Sequence, residues 1–156
     1  MVGKNIVVVG GGTGNHTTLS GLKGLGCDLT AVVAMSDDGG SSGRLRDELG
    51  QLPPGDLRQC LVALAADDHS SALMRQLFTY RFNAGNGLSG HSFGNLFLTA
   101  LTEITGNTAT AIEEAPQILR ISGRVLPVTL SKTTLIAHLV DGSRLIGESS
   151  IDQRQD

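Results

Sequence analysis

The sequence predicts an α/β fold built on an open parallel sheet, and three features of its first 35 residues support this. The β-branched run 5–9 ends in glycines, which is typical of a buried strand that runs into a tight turn. A stretch with helical spacing follows, and after it a second apolar run, 29–35. The order strand, helix, strand predicts a right-handed crossover and parallel pairing of the two strands.

Helices are predicted wherever apolar residues recur three or four positions apart between glycine or proline residues. The expected ranges are 17–25, 44–49, 56–66, 70–80, 92–104 and a weaker helix over 110–119 that Pro116 interrupts. Asp56 stands where a side chain would cap the third helix, and a serine is expected to cap the fourth. The apolar stripe of the helix over 92–104 consists of Phe93, Leu96, Phe97, Ala100, Leu101 and Ile104.

The last third of the chain changes from helical to alternating spacing. Short alternating or β-branched runs occupy 124–130, 133–139 and 144–148, and Asp141 and Gly142 supply a hairpin turn. We therefore expect short antiparallel strands near the carboxyl terminus.

The composition argues against nucleic acid and membranes as partners. A net charge of -3, one Tyr, four Phe and no Trp in 156 residues leave little to attract or stack nucleic acid. No charged leader with an apolar core opens the sequence, and no apolar run approaches the ~20 residues of a membrane span, so we expect a soluble intracellular protein with no membrane partner. Cys27 and Cys60 lack CxxC spacing, and we interpret both as reduced thiols.

The glycine turn after the first strand is the first candidate ligand site. Its residues follow a strand and precede a helix, a context in which backbone N–H groups bind phosphate. The GxGxxG spacing of NAD sites and the P-loop pattern of Walker-type ATPases are both absent, which argues against these two classes. A plain glycine turn without a ligand is the alternative. The candidate residues are Gly11, Gly12, Thr13, Gly14 and Asn15.

The loop after the second strand carries more varied chemistry. Asp37 and Asp38 end that strand where an acidic residue binds ribose hydroxyls in related architectures, or they coordinate a divalent cation such as Mg²⁺. Neighbouring carboxylates also occur in solvated turns. The loop adds open backbone and hydrogen-bond donors at close range, and these further candidates are Gly39, Gly40, Ser41, Ser42 and Arg44.

Two later segments are expected at the same edge of the sheet. Asp56 is either a helix cap or a ligand contact, and Arg58 is either a surface charge or a ligand contact. His91, Ser92 and Asn95 open another helix, whose free N–H groups and dipole favour an anion and a neutral imidazole. His91 is then a donor to a phosphate or hydroxyl, with a structural histidine as the alternative. No ligand spacing is convincing for zinc.

Six separated motifs, in one order, resemble the gluconeogenesis-factor family, which is itself similar to the 2-phospho-L-lactate transferases of deazaflavin cofactor biosynthesis. The motifs are GGGTG, SDDGGSSGRLR, PPGDLRQCL, LFTYRF, GLSGHSFGNLFLTALTEITG and SGRVLPVT. The resemblance implies a Rossmann-like three-layer fold and a cytoplasmic protein needed for cell shape and for growth on gluconeogenic carbon sources. It also implies binding of UDP-sugars such as UDP-N-acetylglucosamine.

The chain departs from the family pattern in two places. Asn15 and His16 stand where family members commonly carry an apolar residue and Ser after GGGTG. Family members also continue into a second half with a GPGS-type loop, whereas this chain stops at Asp156. We therefore expect residues 1–156 to form a single Rossmann-like domain, the N-terminal portion of a longer family fold.

Three functions remain open from the sequence. The leading hypothesis is a regulatory protein that binds a nucleotide sugar or a related phosphorylated small molecule, because no nucleophile is evidently paired with a base. The second is a transferase resembling the 2-phospho-L-lactate transferases, in which a metal held by Asp37 or Asp38 steadies a leaving phosphate. The third is a structural fragment that self-associates into a homo-oligomer through an exposed apolar face.

Overall fold

Strands and helices alternate at the start of the chain, and helices dominate its middle. The computed structural model describes residues 3–154. In chain order its elements are β1 (Asn5–Gly10), α1 (Gly12–Leu22), β2 (Asp28–Val33), α2 (Gly40–Leu49), α3 (Gly55–Leu64), α4 (His69–Thr79), α5 (Phe93–Thr105), α6 (Thr108–Leu119), β3 (Arg124–Pro127), β4 (Ile136–His138), β5 (Arg144–Ile146) and α7 (Glu148–Asp152).

Three parallel strands form the main sheet in the order β1-β2-β3. Gly10 pairs with Val33, and Val33 pairs with Pro127, so the carboxyl ends of all three strands lie at one edge. The expectation that 124–130 is antiparallel is wrong for β3. The helices α3 to α6 carry the chain back to the amino edge of the sheet, so β3 runs in the same direction as β2. The β4–β5 pair is antiparallel, as expected.

Helices of the described residues cover one face of the sheet. Leu29, Ala31 and Val33 point into the core between the sheet and the helices and are almost fully buried. On the opposite face the side chains of Val7 and Val9 are 58% and 71% exposed. The expected α/β class, with a parallel sheet and a short antiparallel pair, is confirmed. Of the expected three layers, residues 3–154 supply the sheet and the helical layer on one face.

The helices begin at different residues from those that the apolar spacing predicts. α1 begins at Gly12 instead of residue 17, and α2 begins at Gly40 instead of residue 44. Much of each glycine-rich loop is therefore the first turn of a helix. Glycine and serine have weak helix propensity, but packing against the rest of the fold overrides it, as in the close contact of α1 with α3.

Two capping expectations are wrong. α3 begins at Gly55 with Pro54 at its N-cap position, so Asp56 lies inside the first turn and does not cap the helix. α4 is capped by Asp68, whose side chain accepts from the Ser71 N–H, and not by a serine. An ionised carboxylate is the stronger acceptor for a free backbone N–H at this position.

The later helices differ from their expected packing in two respects. Ser92 caps α5, but Ile104 of the expected apolar stripe is 81% exposed, and Leu98 is buried instead because α5 packs between α4 and α6. α6 continues through Pro116 without interruption, since its core-facing residues hold the helix despite the lost N–H. Burial raises the pKa of Cys60 to about 11, so this thiol stays protonated near neutral pH. No helix within residues 3–154 is both long enough and apolar enough to cross a bilayer.

Candidate ligand-binding site at the carboxyl edge of the sheet

The first turn of α3 lies between the glycine turn and the loop after β2. The Asp56 carboxylate packs against the glycine turn so closely that a Cβ added to Gly12 would collide with it. On the other side, a Cβ added to Gly55 would lie 2.5 Å from Asp37 Oδ2. Only glycine permits these approaches, so the two glycines allow α3 to bring the two loops together.

The buried side chain of Asn15 anchors the glycine turn. The Asn15 side chain is 2% exposed, and its Nδ2 donates to the carbonyl oxygens of Gly10 and Val32 at 3.2 and 3.3 Å. The amide therefore ties the turn to β2 and does not face solvent. Thr13 and Gly14 are the exposed members of the turn, and the Thr13 hydroxyl lies 3.5 Å from Gln59 Oε1.

The two carboxylates after β2 have different partners. Asp37 Oδ1 accepts from the Gly39 N–H at 2.9 Å, and Asp38 Oδ1 accepts from the Ser149 N–H at 2.8 Å. Burial acts to raise the pKa of Asp38, but the Ser149 hydrogen bonds and the charge of Arg46 outweigh it and hold that pKa below its usual value. Asp38 thus joins α7 to the loop.

A buried polar network joins the beginnings of α2 and α5. Asn95 Nδ2 donates to Ser41 Oγ at 3.1 Å and lies 3.4 Å from Ser42 Oγ, while Ser41 Oγ lies 3.0 Å from His91 Nδ1. Five of the candidate residues belong to it, each no more than 4% exposed: Ser41, Ser42, His91, Ser92 and Asn95. The structure brings these residues together, with their side chains bonded largely to one another and not open to solvent.

His91 has a lowered pKa in this network. Its burial is the main cause, and the nearby positive charges of Arg44 and Arg81 add to it against the opposing charge of Glu48. The imidazole is therefore neutral near pH 7, as the helix start at Ser92 also favours. Arg44 itself is exposed and donates from Nη2 to the Ser89 carbonyl at 2.8 Å.

Arg58 connects the network to the acidic residues. Its Nε donates to Asn95 Oδ1 at 3.0 Å. Burial, reinforced by Arg81, lowers the pKa of Arg58, while the charges of Asp56 and Asp37 act in the opposite direction. The guanidinium therefore links α3, the loop after β2 and the start of α5.

Asp56 is the most strongly perturbed carboxyl group at this edge. Burial raises its pKa to about 6, and the negative charges of Asp37 and Glu148 add to the effect, while a hydrogen bond from the Gly12 N–H and the charge of Arg58 oppose it. Burial and Asp37 also raise the pKa of Glu148.

Sequence reasoning missed Glu148, Ser149 and Gln59. The first two reach the site on α7, more than 100 residues after the loop, and carry no local motif.

The carboxylates alone do not form a complete metal site. Among residues 3–154, no three His, Cys, Asp or Glu side chains lie together in a way that could hold a metal ion. Asp37 and Asp38 each have one oxygen occupied by a backbone N–H. Mg²⁺ is commonly bound by one or two carboxylates together with phosphate oxygens and water, so the pair fits this ion only when a ligand supplies the remaining oxygens.

The open space beside the site is small. A cavity of about 150 Å³ lies next to α1 and α3 and is lined by His16, Arg58, Gln59, Val62 and Thr79. Small-molecule pockets commonly measure roughly 300 to 1,000 Å³. This recess is thus smaller than the usual site for a small molecule, and a nucleotide sugar bound in it would extend over the adjoining surface.

Comparison with known proteins gives close relatives over almost the whole chain. A protein from Nostoc sp. called a putative gluconeogenesis factor is 56% identical over 149 residues, which are 96% of this chain and 32% of the relative. A gluconeogenesis factor from Halalkalibacterium halodurans is 51% identical over 95% of this chain and 45% of its own length. The chain thus spans about a third to a half of the curated relatives that it matches.

A solved structure shows the same fold. The crystal structure of a Bacillus halodurans protein, described as a member of the upf0052 family, superposes with a TM-score of 0.86 at 49% identity. The match covers 95% of this chain and 47% of that one. A family model described as 2-phospho-L-lactate transferase CofD matches residues 6–156. The chain therefore belongs to the CofD family, in which its close relatives carry the name gluconeogenesis factor.

Proposed function

We propose that this chain forms part of the nucleotide-sugar site of a regulatory gluconeogenesis factor, with UDP-N-acetylglucosamine as the representative ligand. The supporting observation is the position of the first turn of α3. Its Asp56 contacts Gly12, its Gly55 contacts Asp37, and Arg58 binds Asn95. Three segments whose groups can bind phosphates and hydroxyls therefore lie close together, at the edge where parallel α/β sheets bind ligands.

The groups that are at least partly accessible suggest how the ligand binds. In this proposal, the N–H groups at the start of α1, near Thr13 and Gly14, and the Arg58 guanidinium bind the diphosphate. Asp37 and Asp38 bind ribose or sugar hydroxyls, or hold Mg²⁺ between themselves and the phosphates. The buried residues Ser41, Ser42, His91, Ser92 and Asn95 position these groups.

A transferase is the second candidate, and two observations favour it. The matching family model carries a transferase description, and Asp56 has a raised pKa close to neutrality, which suits a group that exchanges a proton. The substrate would then also be a phosphorylated small molecule. A transfer of a phospholactyl group, detected by mass spectrometry of an acceptor incubated with the chain, would favour this candidate over the first.

Calorimetry with the purified 156-residue chain tests the binding proposal. UDP-N-acetylglucosamine should release or absorb heat on binding, with Mg²⁺ strengthening the interaction, and Asp37→Asn should weaken it. Asp47→Asn, which changes an exposed carboxylate on the last turns of α2, is the matched control and should bind normally. The absence of heat with every nucleotide sugar tried would contradict the proposal.

We also propose a role in gluconeogenic growth, which agrees with the name gluconeogenesis factor that the close relatives carry. A cytoplasmic location and a role in cell shape are proposed only as what the resemblance of the sequence motifs to this family implies. Expression of the gene that encodes this sequence should restore growth of a strain lacking its own gluconeogenesis factor on a gluconeogenic carbon source. The Asp37→Asn version should not restore it if nucleotide-sugar binding transmits the signal.

A further inference from the structure

We propose that a cleft between the end of α2, the end of α5 and the start of α6 binds a small phosphorylated polyol, such as a sugar phosphate, at a second site separate from the glycine turn. The inference goes beyond the nucleotide-sugar proposal and does not depend on it. It rests on the size of the cleft, on a lysine that forms no ion pair within residues 3–154, on the helix start that lines the cleft, and on an unpaired hydroxyl group in a small adjoining cavity.

The cleft is large enough for a small metabolite. Its volume is about 410 Å³, and its lining includes Gly50, Gln51, Glu103, Thr108 and Lys132. A neighbouring cavity of about 390 Å³ shares Gly50 and Lys132 with it. The volume of the cleft lies within the usual range of small-molecule sites. The cleft is thus larger than the cavity of about 150 Å³ beside the glycine turn.

Two elements of the cleft lining, the start of α6 and Lys132, favour an anion. The Asn107 side chain caps α6 and accepts from the Thr110 N–H, which leaves the N–H groups of Thr108 and Ala109 without an acceptor in the helix. The helix dipole favours negative charge at this position. Lys132 Nζ lies 3.5 Å from the point where a Cβ on Gly50 would stand, and it forms no ion pair within the described part of the chain.

A small cavity that adjoins the cleft carries an unpaired polar atom. Thr99 is 8% exposed, and its Oγ1 is the buried side-chain oxygen or nitrogen within residues 3–154 that has no hydrogen-bond partner. It lines a space of about 10 Å³ that shares Gln51, Leu52, Thr102 and Thr108 with the cleft. A space of this size holds about one water molecule or one hydroxyl oxygen. A ligand hydroxyl that enters it would satisfy Thr99.

The other polar groups select hydroxyls over further phosphates. Gln51 Nε2 donates to Glu103 Oε1 at 2.5 Å, so the second carboxylate oxygen of Glu103 and the carbonyl oxygen of Gln51 remain as acceptors. Acceptors next to a negative charge suit neutral hydroxyl groups and repel a second phosphate. No aromatic ring lines the cleft in the described residues, so a nucleobase finds no surface on which to stack.

The cleft and the glycine-turn site lie at opposite ends of α2. The candidate loop after β2 leads into Gly40, whereas the cleft adjoins Gly50, and a helix of ten residues is about 15 Å long. A ligand the size of a sugar phosphate cannot reach both. The two sites can therefore be tested independently on the same chain.

Calorimetry of the 156-residue chain with glucose 6-phosphate, glucose and inorganic phosphate tests the proposal. Glucose 6-phosphate should bind more tightly than either of the others. Lys132→Met should weaken it by about tenfold, since one charge-assisted hydrogen bond is lost. Lys4→Met removes an exposed lysine at the amino edge of the sheet and should leave binding unchanged. An equal loss in both variants would overturn the proposal.

Thr99→Val separates ligand recognition from folding. Valine keeps the shape and removes the unpaired hydroxyl, so the melting temperature of the free chain should stay the same or rise while affinity for glucose 6-phosphate falls. Unchanged affinity would overturn the assignment of the hydroxyl subsite. Inorganic phosphate binding as tightly as glucose 6-phosphate would overturn the polyol class, and competition between UDP-N-acetylglucosamine and glucose 6-phosphate would overturn the separation of the two sites.

Discussion

Arg58 Nε lies 3.0 Å from Asn95 Oδ1, and this hydrogen bond orients the amide that joins α2 to α5. An arginine nitrogen can only donate, so it fixes the amide oxygen toward α3 and the amide nitrogen toward Ser41 and Ser42. Arg58 also lies near the charges of Asp37 and Asp56. One residue of α3 therefore couples the buried network to the partly buried carboxylates of Asp37 and Asp56.

Replacing Asn95 should destabilise the fold. Asn95→Leu leaves Arg58 Nε and the buried Ser42 hydroxyl without their partner and removes one of the two partners of Ser41, which keeps His91. Each unsatisfied buried group costs roughly 1 to 3 kcal/mol. We expect a loss of about 3 kcal/mol in the free energy of unfolding, measured by urea denaturation. Asn86→Ala, in an exposed turn, should change stability little. Equal stability of the two variants would show that the network contributes nothing.

The two glycines at the start of α1 should respond oppositely to alanine. Gly12→Ala places a Cβ against the Asp56 carboxylate and the Gln59 amide, and relieving such overpacking costs about 1 to 3 kcal/mol. Gly14→Ala meets nothing within 4 Å and should stabilise the helix by about 0.5 to 1 kcal/mol. Thermal unfolding of both variants measures the difference. A Gly12→Ala protein as stable as the Gly14→Ala protein would refute the close approach of α3.

Asp56 should make stability fall as the pH rises. Its pKa in the folded chain, about 6, lies above the ordinary value of 3.8, so between these pH values the folded state binds more protons than the unfolded state. Stability attributable to Asp56 is full below pH 4 and is lost as the pH passes 6. We expect Asp56→Asn to be more stable than the parent at pH 7, by about 1 kcal/mol after allowance for solvent screening.

A comparison of the parent and Asp56→Asn at two pH values isolates the contribution of Asp56 to stability. The advantage of Asp56→Asn over the parent in urea denaturation should be present at pH 7 and shrink toward pH 4. Asn86→Ala, which changes no titratable group and lies in an exposed turn, should show the same difference from the parent at both pH values. A constant advantage of Asp56→Asn across this range would contradict the raised pKa.

Asp38 should hold α7 against the loop after β2. Asp38→Ala removes the acceptor of the Ser149 N–H, so we expect faster amide hydrogen exchange over 148–152 while the core strands keep their protection. Asp152→Ala, at the exposed end of α7, is the control. Unchanged exchange in Asp38→Ala would mean that other contacts hold the helix.

The uncovered face of the sheet should drive self-association of the isolated chain. Val7, Val9 and Val128 are all more than half exposed on this face, and Leu126 adds to the apolar surface. Sedimentation should show a dimer that forms with rising concentration and that Val9→Lys abolishes. Val140→Lys, on the exposed hairpin turn, should leave the dimer intact. A monomer at every concentration would contradict this expectation.

The sequence predicted the framework because strands and turns carry local signals. The β-branched run before GGGTG and the Asp141–Gly142 turn specify their elements within a few residues. The start of α1 at Gly12 was not predictable from propensity, because packing against α3 stabilises a turn that glycine disfavours locally. β3 was assigned the wrong direction because a single short strand does not specify which way it pairs.

The site was predictable as a set of residues but not as an arrangement. His91 and Asn95 were recognised as polar residues at a helix start, yet their burial in a shared network depends on Ser41, which is 50 residues away from His91 in the chain. Glu148 was missed because α7 approaches Asp37 only through the tertiary fold. Spacing along the chain cannot reveal contacts of this kind.

A nuclear magnetic resonance titration of the labelled chain with UDP-N-acetylglucosamine tests the central claim most directly. We expect the amide signals of 11–14, 37–40 and 56–58 to shift together with one dissociation constant, because the three segments meet at one ligand. Shifts confined to a single segment, shifts only around Lys132, or no shifts at all would contradict a shared site at this edge of the sheet.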